Sequence, residues 1–424
     1  MKGLPAGEER LKQFQQKARE IKDLSAIAAT WDQYIPEDNY VGMEDMPQQH
    51  HELKRMFIFG AAASSFCCFD EQKEELRKHA LSPPTGYEVF AAKYDELISE
   101  FPGADQSTTK FESRGNDIES CLEEEWDMVK TKYNPNVAIR HLNIQFYLQK
   151  LFLTISSEVH QKFRRKNLYR LLLSKLEAVT FENPQERISL VTFNYDTILD
   201  HFVTEANGVP LNSMESYVDY RNNNLLLFKP HGSCNWGWRI PREYSEQLNG
   251  ASFAQYLWEE KVEPWKLYFE ILGDIDDMID INSWGPEQFN DEFHRGRYTI
   301  AKSKLEVIPK GRETDFFPAL LIPYRDKDEV LMPYEHVETL KHAIDRIEEL
   351  YLIGWKGNER LFNKKLERAR NLKRLIIVNP EAKEVEKRIV NCLPKGVKPE
   401  IIHVHDFEEF VLNRMDELLK IERN

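Results

Sequence analysis

Polar side chains that could bind a ligand follow two apolar, strand-like runs of the chain. The run 188–193 is short and rich in β-branched residues, and Asn194 and Asp196 come directly after it. His231 follows a second such run, 225–229. Because open α/β sheets hold their ligands at the carboxyl ends of their strands, this spacing predicts a site that contains these side chains. The alternative for His231 is a hydrogen-bonded structural histidine in a turn.

A turn of small residues follows a third strand-like run, 56–59. It contains Gly60, Ala61, Ala62 and Ser64. Small residues let the backbone approach a ligand closely, and the first N–H groups of a helix that follows would face an anion such as a pyrophosphate. Small residues after a strand more often serve close packing, so both interpretations stay open for this turn.

The last third of the chain alternates between short apolar runs and segments with helical spacing. The predicted strands are 319–323, 349–353, 375–378 and 401–404, and the predicted helices are 334–347, 361–371, 381–390 and 407–419. Short loops between alternating strands and helices are typical of a parallel, doubly wound sheet. The fold class predicted is therefore α/β, with a Rossmann-like parallel sheet and helices on both faces.

The rest of the chain divides by composition. Residues 1–50 are charged and helix-prone, which predicts an N-terminal helical arm in front of a body that spans 51–424. Within the body, 85–185 carries amphipathic helical spacing and reads as a helical insertion. The stretch 237–315 shows no clear periodicity and is predicted to be an irregular insertion. Its acidic run 273–277 lacks calcium-loop spacing, so a solvated loop is expected there.

Bulk properties exclude several classes of protein. The 424 residues carry a net charge of −14, which argues against non-specific nucleic-acid binding, although a local basic patch lies at 162–170. None of the five cysteines forms a Cys-x-x-Cys pair, so neither a structural zinc site nor a disulfide framework is indicated. Residues 1–20 lack an apolar core, and the longest apolar run, 57–69, is interrupted by serine, so neither a signal peptide nor a membrane-spanning segment is expected. These features predict a cytoplasmic protein without a metal and without membrane or direct nucleic-acid binding.

The strand-end motifs, taken in order, resemble the sirtuin (silent-information-regulator) family. More narrowly, the chain is similar to the bacterial sirtuin-like NAD hydrolases of antiphage defence. The turn 60–64 stands where that family has Gly-Ala-Gly-Ala-Ser, and 193–196 stands where it has Thr-Asn-Tyr-Asp. The stretch 231–233 matches His-Gly-Ser, 354–359 corresponds to Gly-Tyr-Ser-x-x-Asp, and 378–380 matches Val-Asn-Pro. The resemblance covers roughly 55–235 and 317–405.

Three positions depart from the family motifs. Ala62 replaces the middle glycine of the small-residue turn, Glu359 replaces an aspartate, and Phe193 replaces a threonine. The methyl group of Ala62 leaves less room for a pyrophosphate to approach the backbone. The longer side chain of Glu359 changes the reach of that carboxylate. These departures bear on how tightly a cofactor would bind more than on where it would bind.

The resemblance implies cleavage of NAD to nicotinamide and ADP-ribose, a reaction that passes through an oxocarbenium-like ribose. It implies that Asn194 orients a water or the ribose, that Asp196 holds ribose hydroxyls or steadies positive charge, and that His231 is a general base. The pyrophosphate would lie against Gly60, Ala61, Ala62 and Ser64. The adenosine would contact Gly354, Glu359 and Asn379.

Such an enzyme depletes a universal cofactor, so control by homo-oligomerisation or by a second protein is expected. Within the family, the stand-alone hydrolase that pairs with a HerA-type hexameric ATPase is closest in architecture. The main alternative is a non-catalytic subunit that binds NAD or ADP-ribose. A protein deacylase is disfavoured because zinc ligands are absent from the sequence, and a dehydrogenase because Gly-x-Gly-x-x-Gly is absent. Hydrolysis and cyclisation of NAD share the first bond cleavage and stay open.

Overall fold

A computed structural model provides the structure of the protein. It describes residues 52–69, 82–101, 104–105, 107–108, 111, 118–131, 135–211, 213–239, 278–280, 301–304, 313–322 and 331–420. The predicted N-terminal arm 1–50 and the acidic run 273–277 lie outside the described residues. No helix in the part of the chain that the structure describes is long and apolar enough to cross a membrane.

Six parallel strands form the central sheet. They are β1 (Glu52–Phe59), β2 (Glu186–Thr192), β3 (Leu225–Phe228), β8 (Glu349–Ile353), β9 (Arg374–Val378) and β10 (Glu400–Val404). Every residue of β2 is buried, as expected for an inner strand covered on both faces. The edge strand β10 is partly exposed over most of its length. The α/β class and the Rossmann-like parallel sheet predicted from the sequence are therefore confirmed.

The strand order is β10-β9-β8-β1-β2-β3. The first described strand, β1, lies in the middle of the sheet; β2 and β3 lie on one side of it, and β8, β9 and β10 lie on the other side. In register, Phe59 at the end of β1 pairs with Thr192 of β2 and with Ile353 of β8. The order reverses between β1 and β8, and open α/β sheets bind their ligands in the crevice outside the strand ends at such a point.

Helices flank the sheet and connect its strands. In chain order they are α1 (Ala61–Ser65), α2 (Asp95–Ile98), α3 (Ile118–Thr131), α4 (Pro135–Phe163), α5 (Leu168–Glu182), α6 (Ile198–Asn207), α7 (Met214–Val218), α8 (Tyr334–Arg346), α9 (Arg360–Lys365) and α10 (Ala382–Val390). The closing helix runs through Phe407–Glu409, the π-helical Phe410–Arg414 and Met415–Leu419. The predicted helix 361–371 ends earlier than expected, since a short 3-10 turn, Leu366–Arg368, follows α9.

Aromatic side chains join the sheet to its helices. The ring of Phe59 in β1 lies 5.4 Å from Tyr169 of α5 and 6.5 Å from Phe407 of the closing helix. Two residues earlier, Phe57 stacks on Tyr351 of β8 at 4.2 Å. Because alternate residues of a strand share a face, Phe57 and Phe59 form one apolar surface under these helices. The packing holds the carboxyl ends of β1, β2 and β8 in fixed positions.

A second, antiparallel sheet corrects two predictions about the segment between β3 and α8. Its strands are β4 (Gly232–Arg239), β5 (Met278–Asp280), β6 (Ala301–Lys304) and β7 (Glu313–Leu320), in the order β5-β4-β7-β6. The described parts of 237–315 therefore belong to strands rather than to an irregular loop. The run 319–323 was predicted within the parallel unit, but its first residues end β7. A short apolar run fits either kind of sheet, and only the pairing of Leu320 with Gly232 decides between them.

Candidate functional site

Asn194 ties the end of β2 to the turn after β1. Its amide Nδ2 donates to the carbonyl oxygen of Gly60 at 3.0 Å and to Ser64 Oγ at 2.8 Å. The side chain is buried, and the backbone N–H of Asn194 donates to Thr192 Oγ1 at 3.2 Å. The predicted site residues Gly60, Ser64 and Asn194 are thus brought together at the carboxyl edge of the sheet.

Asp196 lies two residues further along, in the same buried polar region. Its Oδ1 accepts from the backbone N–H of Ile198 at 3.1 Å, at the start of α6, and its carboxyl also interacts with the Ser64 hydroxyl. Burial raises the pKa of Asp196, while Lys229, Ser64 and the Ile198 N–H oppose that rise. A carboxyl in this environment is well suited to stabilise positive charge, because little water screens it.

Tyr169 of α5 completes what we call the strand-tip cluster, made of Ser64, Tyr169, Asn194 and Asp196. Its hydroxyl lies 3.1 Å from Ser64 Oγ and also bonds to the side chain of Asn194. Burial raises the pKa of Tyr169 well above its ordinary value, so the phenol stays protonated. The sequence analysis missed Tyr169, since an aromatic residue at helical spacing is usually a core residue.

His231 lies beside the strand-tip cluster, in the turn between β3 and β4. It is buried, its ring lies 4.9 Å from the ring of Phe193 and 6.3 Å from that of Tyr195, and its carbonyl accepts from Leu321 N–H at 2.9 Å. Phe193 and Tyr195 flank Asn194 in sequence. The turn that holds His231 therefore packs directly on the tip of β2, where the sequence predicted the two to meet.

The turn at His231 depends on the glycine that follows it. Gly232 has φ +74°, and a Cβ there would collide with the backbone of Ala319 in β7. The chain then continues directly into β4, which begins at Gly232. The antiparallel pairing of β4 with β7 thus fixes the residue next to His231.

The small-residue turn packs closely against the end of β8. Gly60 N–H donates to Ile353 O at 3.0 Å, and Gly354 has φ +60° with its Cα so near α1 that an added Cβ would lie 2.6 Å from Ala63 N. The added atom would also lie 3.0 Å from Ala62 Cβ. Close packing therefore accounts for the small residues here, whereas Ala61 is exposed at the outer side of the turn.

Three packed aromatic rings lie between the tip of β2 and Glu359. Phe193 stacks on Trp355 at 5.3 Å, with the ring planes 8° apart, and Phe362 of α9 lies edge-on to both rings. Trp355 Nε1 donates to Glu359 Oε2 at 2.5 Å. The glutamate is thus held by the indole of the residue that follows Gly354. Trp355 and Phe193 were not predicted as contacts, because no sequence spacing relates them.

Asn379 lies at the edge of an open cleft at the ends of β9 and β10. The cleft has a volume of about 410 Å³ and is lined by 379–384 and 403–405. Asn379 Oδ1 accepts from Glu381 N–H at 2.9 Å, and its Nδ2 lies 3.5 Å from Trp355 O. The cleft therefore adjoins the Gly354–Glu359 loop. His403, in the same lining, lies 2.9 Å from Glu386 Oε2.

Comparison with known proteins assigns the chain to no family: no protein-family model matches it, and no curated protein is significantly similar to it. Within the described residues, no three His, Cys, Asp or Glu side chains lie together as a metal site. The arrangement combines a buried carboxyl, a buried amide and a histidine at the switch point of a parallel sheet. These groups can orient a sugar, stabilise positive charge and accept a proton.

Proposed function

We propose that the protein is an NAD glycohydrolase that cleaves NAD to nicotinamide and ADP-ribose and acts in bacterial antiphage defence by depleting NAD. One observation carries the proposal. Asn194 and Asp196 follow β2, His231 follows β3, and the two strand ends meet at the carboxyl edge of the sheet, beside the point where the strand order reverses. The order of the five strand-end motifs supports the same function through the resemblance to sirtuin-like NAD hydrolases.

In the proposed reaction, the bond between ribose C1′ and the nicotinamide nitrogen breaks, and its electron pair leaves with nicotinamide. Asp196 stabilises the positive charge that develops on the ribose, since its buried carboxyl lies at the strand tip. Water then bonds to C1′ and gives its proton to His231. Asn194 orients the ribose or the water. Cyclisation would use a ribose-linked nucleophile in place of water after the same first step.

The rest of NAD would extend along the carboxyl edge of the sheet. The pyrophosphate would lie at the small-residue turn of Gly60, Ala61, Ala62 and Ser64, where Ala61 is exposed. The adenosine would extend past Gly354 and Glu359 toward Asn379, and the open cleft beside Asn379 offers about 410 Å³.

Control of the enzyme belongs to the same proposal. Continuous loss of NAD would be toxic, so the activity would depend on homo-oligomerisation or on a partner such as a HerA-type hexameric ATPase. The buried state of Asn194 and His231 supports this view, since both side chains are enclosed by neighbouring residues. Assembly could then change access to the strand tips without changing the residues themselves.

A non-catalytic subunit that binds NAD or ADP-ribose is the second candidate. The observation that favours it is the use of Asn194 Nδ2 within the protein, where it holds Gly60 O and Ser64 Oγ. Glu359 and Asn379 also have partners inside the protein. A site whose polar groups are engaged in this way can bind the cofactor through its outer surface without reaching the ribose.

Nicotinamide release from NAD separates the two candidates. The purified protein and its His231→Ala variant are assayed with and without the candidate ATPase, and NAD binding is measured by calorimetry. The proposal expects release that disappears in His231→Ala but persists in His160→Ala, a matched control whose ring stacks on His201 between α4 and α6. Binding of NAD without release in any mixture would support the non-catalytic subunit instead.

A further inference from the structure

Lys229 is a buried lysine that the proposed chemistry does not use. It follows β3 directly, and its side chain is 0% exposed. Its Nζ donates to Asp200 Oδ2 at 2.9 Å, to Asp200 Oδ1 at 3.2 Å and to the backbone carbonyl of Asp196 at 2.7 Å. An ammonium group has three donors, and all three are used here.

The three hydrogen bonds join the elements that carry the proposed reacting groups. Asp200 lies on α6, one turn after Asp196, and Lys229 stands two residues before His231. The backbone carbonyl held by Lys229 belongs to Asp196 itself. The ion pair therefore fixes the distance between the tip of β2 and the turn after β3.

The network continues into β4 on the far side of His231. Tyr217 of α7 donates its hydroxyl proton to Asp200 Oδ1 at 3.2 Å and accepts from Asn235 Nδ2 at 2.8 Å. Ser233 Oγ donates to Asn235 Oδ1 in turn. The turn that bears His231 is thus anchored through Lys229 before it and through Ser233 and Asn235 after it.

We propose that Lys229 and Asp200 are positioning residues that hold Asp196 and His231 in register for cleavage of the glycosidic bond. This inference rests on the proposed NAD glycohydrolase function. The bond that is cleaved is the one between ribose and nicotinamide. Lys229 and Asp200 act only through Asp196 and His231, and neither residue touches the substrate.

Stability alone is a poor reason for burying this pair. Taking two charges out of water costs several kcal/mol per ion, and well-packed apolar residues are often as stable as the pair they replace. An apolar pair could not, however, hold the carbonyl of Asp196. Positioning therefore explains a feature that packing does not.

Lys229 also acts on the charge of Asp196. The charged and titratable groups around that carboxyl are Lys229 after β3, Asp200 on α6, Cys67 after α1 and Tyr169 on α5. Burial raises the pKa of Asp196, and among the neighbouring charges Lys229 lowers it more than Asp200 raises it. Removal of both charges therefore moves this pKa upward.

The test replaces the pair as a unit, by Lys229→Met together with Asp200→Leu, so that no unpaired charge is left in the interior. The matched control is Lys175→Met with Asp416→Leu. Lys175 also donates to a carboxylate, Asp416 Oδ1 at 2.5 Å, and to a backbone carbonyl, Val411 O at 2.9 Å, but it joins α5 to the closing helix. Nicotinamide release is followed from pH 4 to 9, and both double variants are crystallised.

The expected result is a folded Lys229/Asp200 double variant with NAD affinity near that of the native protein. Its kcat falls by roughly a hundredfold, as a displacement of about 1 Å at a reacting group predicts. The acid limb of its pH profile also moves to higher pH, which a purely structural role would not cause. The Lys175/Asp416 control keeps the native kcat and profile.

Two results would overturn the inference. One is an unchanged kcat and pH profile in the Lys229/Asp200 variant. The other is a crystal structure in which Asp196 and His231 keep their native positions after the pair is removed. The structural result counts even if the native protein releases no nicotinamide, so it separates failure of the positioning role from failure of the proposed function. If that double variant does not fold, Lys229→Gln together with Asp200→Asn, which also leaves no charge in the interior, is measured in the same way.

Discussion

Asn194 Nδ2 lies 2.8 Å from Ser64 Oγ, so a residue proposed to act on NAD also joins the tip of β2 to the helix that follows β1. The same amide holds Gly60 O. Asn194 is therefore part of the scaffold of the site as well as part of its proposed chemistry. Loss of activity in a variant at this position does not by itself identify a chemical role.

The first prediction follows from this double role. Asn194→Ala removes the two buried hydrogen bonds that its Nδ2 donates to Gly60 O and Ser64 Oγ, so we expect a loss of about 1 to 3 kcal/mol in the free energy of unfolding. Denaturant unfolding measures the loss.

Asn207 supplies the matched control for Asn194. Its Nδ2 donates to Leu225 O at 2.9 Å and its Oδ1 accepts from Leu225 N–H at 3.1 Å, so it also joins a helix to a strand through two bonds. Asn207 lies at the opposite end of β3 from His231. Asn207→Ala should lose similar stability yet keep nicotinamide release. Equal loss of activity in both variants would attribute the effect at Asn194 to folding alone.

The sequence predicts the central sheet well because its strands are buried on both faces. Runs such as 188–193 and 349–353 are mostly apolar, and a strand of this kind is recognisable without knowledge of its neighbours. The polar residues that end these runs, Asn194 and Asp196, were predicted for the same reason. Their position at the carboxyl edge follows from parallel pairing.

Tertiary contacts explain what the sequence did not predict. The pairing of Leu320 with Gly232 places a predicted parallel strand in the antiparallel sheet. The stack of Phe193 on Trp355 joins residues more than 160 positions apart. Lys229 looks in sequence like a solvated lysine after a strand, and only its contact with Asp200 reveals a buried charge. Such relationships depend on distance in space, which residue spacing does not encode.

The second prediction concerns the close packing at the end of β8. Gly354→Ala places a side chain at φ +60° and also forces a Cβ against the backbone of Ala63 and Ala62. Gly208, which ends α6 at φ +66°, has nothing within 4 Å of an added Cβ. Gly208→Ala should therefore lose only the cost of the left-handed conformation, about 1 to 2 kcal/mol.

Gly354→Ala should lose clearly more stability than Gly208→Ala in matched urea unfolding experiments. The difference between the two measures the collision between the β8 loop and α1. Similar losses in the two variants would show that α1 moves aside without cost, and the contact between Gly354 and the small-residue turn would then be loose.

The third prediction is a dependence of stability on pH that arises from His336. This side chain is fully buried on α8, its Nε2 lies 2.7 Å from Met214 O, and burial lowers its pKa from 6.5 to about 4. The unfolded chain binds a proton below pH 6.5, whereas the folded protein binds it only below about pH 4. The stability contributed by neutral His336 is therefore complete above pH 6.5 and is lost as the pH falls toward 4.

His336→Gln keeps an N–H donor near Met214 O but cannot titrate. Thermal unfolding of this variant from pH 7 to pH 4 should show a shallower fall in stability than that of the native protein, by about 1.4 kcal/mol per pH unit within that window. Parallel curves for the two proteins would mean that His336 is protonated in the folded state at the same pH as in the unfolded chain.

The fourth prediction concerns an ion-pair ladder at the amino-terminal edge of the sheet. Arg55 of β1 donates to Glu186 of β2 at 2.5 Å and to Glu349 of β8 at 2.9 Å. Arg374 of β9 donates to the other oxygen of Glu349 at 2.9 Å and lies 3.7 Å from Glu400 of β10. Charges of alternating sign thus cross five neighbouring strands, at the end of the sheet opposite the proposed site.

Arg55→Met leaves Glu186 and Glu349 without their shared partner in a mostly buried position. We expect a loss of about 3 to 5 kcal/mol in the free energy of unfolding at pH 7, because an unpaired buried carboxylate is costly. Lys373→Met is the control, since its pair with Glu348 is more exposed and should contribute at most about 1 kcal/mol.

The loss in Arg55→Met should shrink in acid. Burial by itself would raise the pKa of Glu349, but Arg55 and its neighbours outweigh burial and lower this pKa in the native protein. That lowered pKa stabilises the native fold at pH values above the unfolded pKa of about 4.3, and this contribution to stability is lost as the pH falls through the folded pKa.

In Arg55→Met the glutamates take up protons more readily, so the difference in stability between the variant and the native protein narrows below about pH 5. Denaturant unfolding at pH 7 and pH 4.5 measures this change, and a constant difference at both values would show that Arg55 stabilises the sheet through packing rather than through charge.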